Sequence, residues 1–353
     1  MNHLEEQLCS IYKRKYGVYT GNGTTAMYLA FEALGLQDRK VVFPAISCTN
    51  PVNAALFAGY EVDFCDVRME DFTMNPVYLE NMLKTGEYGI VVPTHIYGNI
   101  CDMEKICELC QRYGAVVLED AAQAERLYGG DISITSFGHT KIFETDAGGG
   151  IAFTDDAALY QKMTEFRKLL PDEPSDSGRL FDIYREKYYS IVRNSRNEEE
   201  KNLGLRQLQM DSRDIFIYDS CSNSEILDML SHRSDILRSR ISRQKLYNDG
   251  LNRKYITIPD CNLDLEHVMW RYTFLYNGDR DAMVAAVRSH GIDISTWYPS
   301  LAGIYKNEHP ANADIVSSRV VNLWVTDDHT EEQIIREINV INDCMEAAYN
   351  GRQ

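Results

Sequence analysis

Between Thr24 and Asp156 the chain alternates short, mostly continuous apolar runs with stretches of helical periodicity. Continuous apolar runs are typical of strands that are buried on both faces, and a helix after each strand indicates a mostly parallel sheet. The pattern predicts strands at 41–44, 61–67, 89–93, 115–118 and 151–153 and helices at 53–59, 76–83 and 103–113. The chain is therefore expected to be an α/β protein.

The second half of the chain predicts a smaller α+β unit. We expect a helix at 158–170, a turn-rich break at 171–178, a charged stretch at 193–202, a long helix at 222–251, strands at 270–276 and 320–325, and helices at 280–290 and 330–349. The 353 residues are enough for one large and one smaller domain. We place the large domain at 1–220 and the smaller one at 221–353.

The amino-acid composition of the chain limits the kinds of molecule it can bind. A net charge of −17 argues against nucleic acid and anionic membranes, which bind a surplus of Lys and Arg. No apolar run approaches the ~18 residues of a membrane span, and the N-terminus lacks an apolar signal core, so we expect a cytoplasmic protein. Cys107 and Cys110 form the one CxxC pair, and without a second pair nearby we expect two partly buried thiols and no metal.

An acid and a lysine give the strongest indication of chemistry. Asp120 follows the apolar run 114–118, so it is expected at the carboxyl end of a buried strand, and Lys141 comes 21 residues later between Phe137 and Ile142. A carboxylate that keeps a pyridine nitrogen protonated, with a lysine that forms an imine, is what pyridoxal 5'-phosphate (PLP) requires of its protein. We predict both as catalytic residues, with Lys141 also moving the substrate proton.

A helix start and several hydroxyl groups predict where the cofactor's phosphate binds. Residues 21–26 (GNGTTA) open an apolar-periodic helix, whose first N–H groups can hold a phosphate. Ligands of parallel sheets bind beyond the carboxyl ends of the strands. The cofactor-binding candidates there are Gly23, Thr24, Thr25, His95 and Ser136. Three glycines at 148–150 precede a strand and do not form a dinucleotide motif.

These motifs resemble the sugar aminotransferases of the DegT/StrS type, which belong to the fold-type I PLP enzymes. The resemblance covers nearly the whole chain, in order, at residues 21–26, 43–45, 53–66, 93–98, 119–124, 136–137 with Lys141, 149–150, 270–272 and 290–292. It implies a large domain with a seven-stranded, mostly parallel sheet. It also implies a cytosolic homodimer with active sites at the subunit interface, glutamate as amino donor and a nucleotide-linked keto-sugar as acceptor, in polysaccharide or deoxysugar synthesis.

The resemblance also implies roles for single residues. Asp120 matches the partner of the pyridine nitrogen, Gln123 the residue near the ring hydroxyl, Lys141 the imine lysine, and Ser136 with Gly23 and Thr24 the phosphate-binding group. For the substrate we nominate Arg271 and Tyr298 in the C-terminal part.

Two segments depart from the family pattern. Many members carry a ring-stacking aromatic residue where this chain has residues 46–50 (ISCTN), so Cys48 is counted among the cofactor-binding residues. The usual Asn-aromatic-Arg segment, which reaches the partner's phosphate, is replaced by residues 217–222. Two alternatives stay open: a non-catalytic or regulatory PLP-binding protein, and a PLP enzyme with a non-sugar acceptor. Lys141 argues against the dehydratase branch, which carries histidine there.

Overall fold

The large part of the molecule is built on a seven-stranded sheet. The computed structural model describes residues 1–220, 223, 225–265 and 267–351. The strands are β1 (Tyr16–Thr20), β2 (Lys40–Pro44), β3 (Val62–Cys65), β4 (Tyr88–Val91), β5 (Val116–Asp120), β6 (Ile132–Ser136) and β7 (Gly150–Thr154). They lie in the order β1-β7-β6-β5-β4-β2-β3, and β7 alone in this sheet runs antiparallel to its neighbours. The predicted mostly parallel sheet is confirmed.

Six helices accompany these strands. They are α1 (His3–Tyr12), α2 (Gly23–Leu34), α3 (Thr49–Phe57), α4 (Pro76–Leu83), α5 (Met103–Tyr113) and α6 (Ala157–Arg167). Helices α4 and α5 have the predicted bounds because local capping defines their ends. The side chains of Asn75 and Asp102 accept hydrogen bonds from first-turn N–H groups, and Gly114 ends α5 in the left-handed conformation at φ 67°.

The sheet is buried on both faces, which explains its continuous apolar strands. Every residue of β6 and β7 is buried. Phe31, Phe43, Phe137 and Phe153 are among the large side chains of this core that are fully buried. Burying one such side chain contributes about 1.5–3 kcal/mol, so Phe153→Ala would cost roughly 3–5 kcal/mol.

The turn-rich break predicted at 171–178 is found at residues 171–176, but the helices that follow it were not predicted. The structure has α7 (Ser177–Asn194), α8 (Glu198–Met210) and α9 (Arg213–Phe216). None of the residues of α7 is fully buried, but Leu180, Tyr184, Tyr188 and Ile191 form a half-buried apolar stripe, of which Tyr188 and Ile191 pack on the main core. Helix α8 approaches α7 closely at Gly204, where an added Cβ would lie 3.1 Å from the side chain of Ile191.

The C-terminal part forms a separate three-stranded antiparallel sheet with helices. Its strands β8 (Ile256–Thr257), β9 (Tyr272–Tyr276) and β10 (Val320–Leu323) lie in the order β10-β9-β8. Its helices are α10 (Glu225–Ser231), α11 (Arg233–Gly250), α12 (Arg280–Ser289), α13 (Leu301–Lys306), α14 (Ala311–Arg319) and α15 (Glu331–Asn350). Helices α11 and α12 both pack on α15 over a second apolar cluster that contains Tyr247, Phe274 and Ile338.

The single helix predicted over 222–251 is divided in two, because His232 leaves helical geometry at φ −96° and ψ 11° between α10 and α11. Its predicted start at Ser222 lies outside the described residues. The boundary between residues 220 and 221 stays a prediction. No helix in the described part of the chain is long and apolar enough to cross a membrane.

Candidate active site

Asp120 ends β5 and lies buried at the carboxyl edge of the sheet, with 4% of its surface exposed. One carboxylate oxygen accepts the N–H of Ala122 at 3.1 Å and the other accepts the hydroxyl of Thr94 at 3.4 Å. Burial raises the pKa of the Asp120 carboxyl, while the charge of Lys141 and the two hydrogen bonds lower that pKa. Asp120 is therefore a desolvated carboxylate, and the nearby charge of Lys141 stabilises its ionised form.

Lys141 lies on the loop between β6 and β7, residues 137–149, which we call the lysine loop. Three hydrogen bonds fix its backbone. The N–H of Lys141 donates to the Gly138 carbonyl at 3.1 Å, the indole N–H of Trp270 donates to the Thr140 carbonyl at 2.5 Å, and Arg240 donates to the Lys141 carbonyl at 3.3 Å. Two of the three donors therefore come from the C-terminal part of the chain.

Arg240 is itself buried, with 4% of its surface exposed. Its guanidinium also donates to the Trp270 carbonyl at 3.1 Å, so Trp270 and Arg240, which both bond to the lysine loop, are also bonded to each other. Burial lowers the pKa of Arg240 to about 10, which leaves it charged at neutral pH. The sequence placed Arg240 on a helix but gave no indication of this contact.

The start of α2 and the end of β6 form a site whose donors fit a phosphate. Asn22 caps the helix by accepting the N–H of Thr25 at 2.9 Å, and a helix leaves its first N–H groups without intrahelical partners. An added Cβ on Gly23 would lie 3.0 Å from the Cβ of Ser136, so the glycine allows the helix start to approach the serine. The hydroxyl of Thr25, by contrast, donates to the Phe216 carbonyl at 2.8 Å.

Gly150 brings β7 against this helix start. An added Cβ there would lie 2.3–2.4 Å from backbone atoms of Asn22 and Gly23, closer than real Cβ contacts. Asn22 and Gly149 also form an isolated parallel bridge. The glycines at 148–150 thus allow β7, the lysine loop and the start of α2 to approach one another closely.

Gln123 connects the large sheet to the C-terminal part. Its side-chain oxygen accepts the N–H of Tyr97 at 2.8 Å, and its amide nitrogen donates to the hydroxyl of Tyr298 at 3.1 Å. The ring of Tyr298 stacks on Tyr97 and Trp270, each with centroids 6.0 Å apart. Burial raises the pKa of Tyr298 well above its ordinary value, so its hydroxyl stays protonated.

His95 donates its backbone N–H to the Asp120 carbonyl at 3.1 Å and is fully buried. Its Nδ1 accepts the N–H of Cys101 at 3.2 Å, so Nε2 carries the hydrogen and donates to Glu119 at 3.0 Å. Both ring nitrogens therefore have protein partners. A direct contact of His95 with the cofactor stays a prediction.

Cys48 lies at the start of α3 between the two catalytic candidates and α7. Burial raises the pKa of its thiol, the charge of Lys141 lowers that pKa and the charge of Asp120 raises it. Tyr184 and Tyr188 of α7 lie near the thiol, and Tyr188 packs on Trp297 with centroids 5.7 Å apart. Helix α7, which the sequence did not predict, thus forms a wall of the site. Its sequence signal is the helical spacing of Leu180, Tyr184, Tyr188 and Ile191.

The segment that departs from the family pattern packs on its own chain. The N–H of Tyr218 donates to the hydroxyl of Thr25 at 3.4 Å, and an added Cβ on Gly21 would lie 2.7 Å from the Cβ of Ser220. Residues 217–220 therefore cover the start of α2, while Cys221 and Ser222 lie outside the described residues.

Other candidate chemistry is not supported. Across the described ranges, no three His, Cys, Asp or Glu side chains gather as a metal site. Cys110 is buried and Cys107 is half-buried, and burial raises the pKa of Cys110 to about 12. Both thiols belong to the packing of α5, as the sequence indicated.

Comparisons with known proteins agree with this geometry. The sequence model of the DegT/DnrJ/EryC1/StrS aminotransferase family matches residues 1–177. A UDP-N-acetyl-3-dehydro-alpha-D-glucosamine 3-aminotransferase of Acidithiobacillus ferrooxidans is 26% identical, over 96% of this chain and 86% of its own length. A GDP-perosamine synthase of Caulobacter vibrioides is 30% identical over 73% of this chain and 64% of its own length. A 3-oxo-glucose-6-phosphate:glutamate aminotransferase of Bacillus subtilis is 26% identical over 94% and 69%.

Solved structures share the fold. NtdA of Bacillus subtilis, with bound PMP, has a TM-score of 0.75 at 20% identity and covers 97% of this chain and 76% of its own. DesV of S. venezuelae has a TM-score of 0.74 at 20% identity and covers 97% and 88%. The fold predicted from the sequence, that of the fold-type I aminotransferases, is confirmed.

Proposed function

This chain belongs to the DegT/DnrJ/EryC1/StrS aminotransferase family, and from that membership we propose that it moves an amino group from glutamate to a nucleotide-linked keto-sugar. The enzyme is an aminotransferase that depends on PLP. Two of the relatives described above are named for UDP- and GDP-linked sugars, and the third is named for glutamate as its partner substrate. The proposed products are amino sugars for polysaccharide or deoxysugar synthesis.

The observation that carries the proposal is the pairing of Asp120 with Lys141. The two residues come from separate elements, yet the charge of Lys141 acts on the buried Asp120 carboxyl. The donors at the start of α2, together with Ser136, lie at the same edge of the sheet. A carboxylate, a primary amine and a phosphate-binding helix start are the groups that PLP needs.

The proposed roles follow from these positions. When bound, PLP supplies a protonated ring that withdraws electrons from the substrate carbon whose proton is removed. Asp120 keeps a positive charge on the ring nitrogen, and the first N–H groups of α2 with Ser136 hold the phosphate. The amine of Lys141 takes a proton from the substrate carbon and returns one. Arg240 and Trp270 keep the Lys141 backbone in place during that transfer.

We also propose a cytoplasmic homodimer whose partner subunit completes the active site. Helix α7 supports this, because it forms a wall of the site and still exposes Phe181, Tyr189 and Val192 at 41–45% of their surface. Apolar side chains gathered on one exposed helix are typical of an interface. Light scattering at micromolar concentration tests the assembly, and a fully active monomer would contradict it.

The function is tested in two half-reactions. Protein loaded with PLP is mixed with glutamate, and loss of the absorbance of the lysine-linked cofactor is followed. The aminated form is then offered keto-sugars linked to UDP, GDP or dTDP, with a keto-sugar phosphate for comparison. No spectral change with glutamate would favour a regulatory protein or another donor, and return of the spectrum with the sugar phosphate alone would refute the nucleotide-linked acceptor.

A further inference from the structure

Residues 216–220 and Asn223 bond to both elements that are proposed to hold the cofactor, and we call these residues the clasp. On one side the clasp is joined to the start of α2. The hydroxyl of Thr25 donates to the Phe216 carbonyl at 2.8 Å and accepts the N–H of Tyr218 at 3.4 Å. One side chain of the first turn of α2 is therefore bonded to two residues of the clasp.

On the other side, Asn223 is bonded to the lysine loop and is buried, with 8% of its surface exposed. Its side-chain nitrogen donates to the hydroxyl of Thr145 at 2.9 Å and to the carbonyl of Gly148 at 3.1 Å. The Thr145 hydroxyl donates to the same carbonyl at 2.9 Å, and the N–H of Gly148 donates to the Thr145 carbonyl at 3.0 Å. One asparagine thus holds the turn that closes the loop of Lys141.

The clasp is itself fixed to its own chain. Arg167 of α6 donates to the carboxylate of Asp219 at 2.9 Å, and the N–H of Asp219 donates to the Pro171 carbonyl at 2.8 Å. The side-chain oxygen of Asn223 accepts the N–H of Glu225 at 2.9 Å, at the start of α10. Because a shift of the clasp would break these hydrogen bonds, the clasp is a fixed link between α2 and the lysine loop.

The cofactor requires these two elements at one separation. Its phosphate and its aldehyde carbon are attached to the same flat ring, so the helix start that binds the phosphate must stay at a set distance from the amine of Lys141. A misplacement of about 1 Å can cost roughly a hundredfold in rate. The backbone bridge of Asn22 with Gly149 joins the two elements at one point. The clasp joins them at a second point, which fixes their orientation as well as their distance.

We propose that Asn223 is a positioning residue, which acts through Thr145 and Gly148 to hold Lys141 at the correct distance from the start of α2. This assignment rests on the role proposed for Lys141. Both N–H groups of the Asn223 amide are used by the lysine loop and its oxygen is used by α10, so Asn223 itself does not bind the cofactor. Its loss should weaken the link between cofactor and lysine and leave the phosphate contacts intact.

The test compares two forms of the cofactor. Asn223→Ser keeps an oxygen that can accept the Glu225 N–H and lacks the amide that reaches the loop. PLP and pyridoxamine 5'-phosphate (PMP) are titrated into the cofactor-free protein, and binding is followed by tryptophan fluorescence. PMP has the ring and the phosphate but cannot link to a lysine, so the ratio of the two affinities measures the lysine link. That ratio should fall about 5- to 150-fold, the range for two lost hydrogen bonds, while PMP affinity stays within about threefold.

A matched control and a second variant keep the test decisive. The side-chain oxygen of Asn75 accepts the N–H of Val77 at 2.9 Å at the start of α4, so Asn75→Ser makes the same change at a helix start outside the site and should alter neither affinity. If Asn223→Ser does not fold, Asn223→Asp replaces it, because aspartate keeps the accepting oxygen and turns a second oxygen toward the Gly148 carbonyl. In either variant the glutamate half-reaction should slow through kcat rather than KM.

The outcomes separate this assignment from the proposed function. An unchanged ratio in the Asn223 variant would refute the assignment and show that Asn223 only supports α10. An equal loss of PLP and PMP affinity would place its effect at the phosphate end and refute the assignment as well. In both cases a wild type that links PLP to Lys141 leaves the aminotransferase proposal standing. A wild type that links PLP to another lysine, or to none, would reject the role of Lys141 and this assignment with it.

Discussion

Replacing Asp120 with asparagine should have opposite effects on the free protein and on the PLP-loaded protein. The side chain accepts the N–H of Ala122 and the hydroxyl of Thr94, and an amide oxygen can keep one of these hydrogen bonds. The substitution is nearly isosteric, so what it removes is the negative charge. In the free protein the buried negative charge lowers the free energy of unfolding. In the PLP-loaded protein the same charge is paired with the positive ring nitrogen, so the two states respond differently to its loss.

In the free protein the charge is unfavourable. Burial raises the pKa of Asp120 above its ordinary value of 3.8, so the folded state disfavours the ionised form. The cost is fully present above the raised pKa, shrinks as the pH falls through that pKa, and vanishes below 3.8 because folded and unfolded states then both hold the proton. PLP-free Asp120→Asn should therefore unfold at a higher temperature than wild type at pH 7, and the two should converge in acid.

With PLP bound the charge is needed. If Asp120 raises the pKa of the ring nitrogen by two units, its loss costs about 2.7 kcal/mol, which corresponds to roughly a hundredfold in rate. The glutamate half-reaction should slow by about that factor, through kcat rather than KM. Cofactor binding should weaken as well, measured by equilibrium dialysis.

Stopped-flow absorbance and thermal unfolding at several pH values check both predictions. Asp131→Asn is the matched control, because Asp131 accepts the N–H of Val117 at 2.8 Å outside the site, and it should leave the half-reaction unchanged. A near-normal half-reaction in Asp120→Asn would show that Asp120 only caps the strand end.

Three further substitutions test the rest of the site. Lys141→Ala should abolish turnover, and borohydride reduction of wild type followed by mass spectrometry should place the phosphopyridoxyl group on Lys141; a group on another lysine would refute the assignment. Trp270→Phe removes the donor to the Thr140 carbonyl and should slow the glutamate half-reaction about 2- to 13-fold, since one hydrogen bond is worth about 0.5–1.5 kcal/mol; an unchanged rate would show that the bond does not position the lysine loop. Gly150→Ala forces a methyl group against Asn22 and should destabilise the protein by about 3 kcal/mol or more in urea titrations, whereas a loss under about 1 kcal/mol would contradict the close approach.

The parts of the fold that were predictable are those that local chemistry specifies. Helices α4 and α5 begin at the expected residues because Asn75 and Asp102 cap them. Five of the seven strands of the large sheet were predicted from apolar runs, whereas β1 (YGVYT) and β6 (ISITS) contain polar residues and were missed. Asp120 was placed correctly at a strand end because the apolar run before it ends there. In each case the signal lies within a few residues of the element that it defines.

The parts that were missed depend on contacts far apart in the chain. Gln123 and Tyr298 are 175 residues apart, Thr140 and Trp270 are 130 apart, and nothing local marks either pair. Helix α7 was missed although Leu180, Tyr184, Tyr188 and Ile191 recur at helical spacing, because the exposed Phe181, Ile183 and Val192 between them obscure that pattern. Tertiary packing alone brings these residues to the site.

The anchoring of the lysine loop has a consequence for how such a protein can evolve. Two backbone carbonyls of the loop are bonded by Trp270 and Arg240, which lie beyond the large sheet in sequence. The half of the chain that carries Lys141 is therefore not a self-sufficient module. A recombination event that exchanged the C-terminal part to change sugar preference would also exchange the anchors of the lysine. Only parent proteins that keep an indole and a guanidinium at these positions would yield active chimaeras. We therefore expect new specificities to arise by point substitution around Trp270 and Arg240.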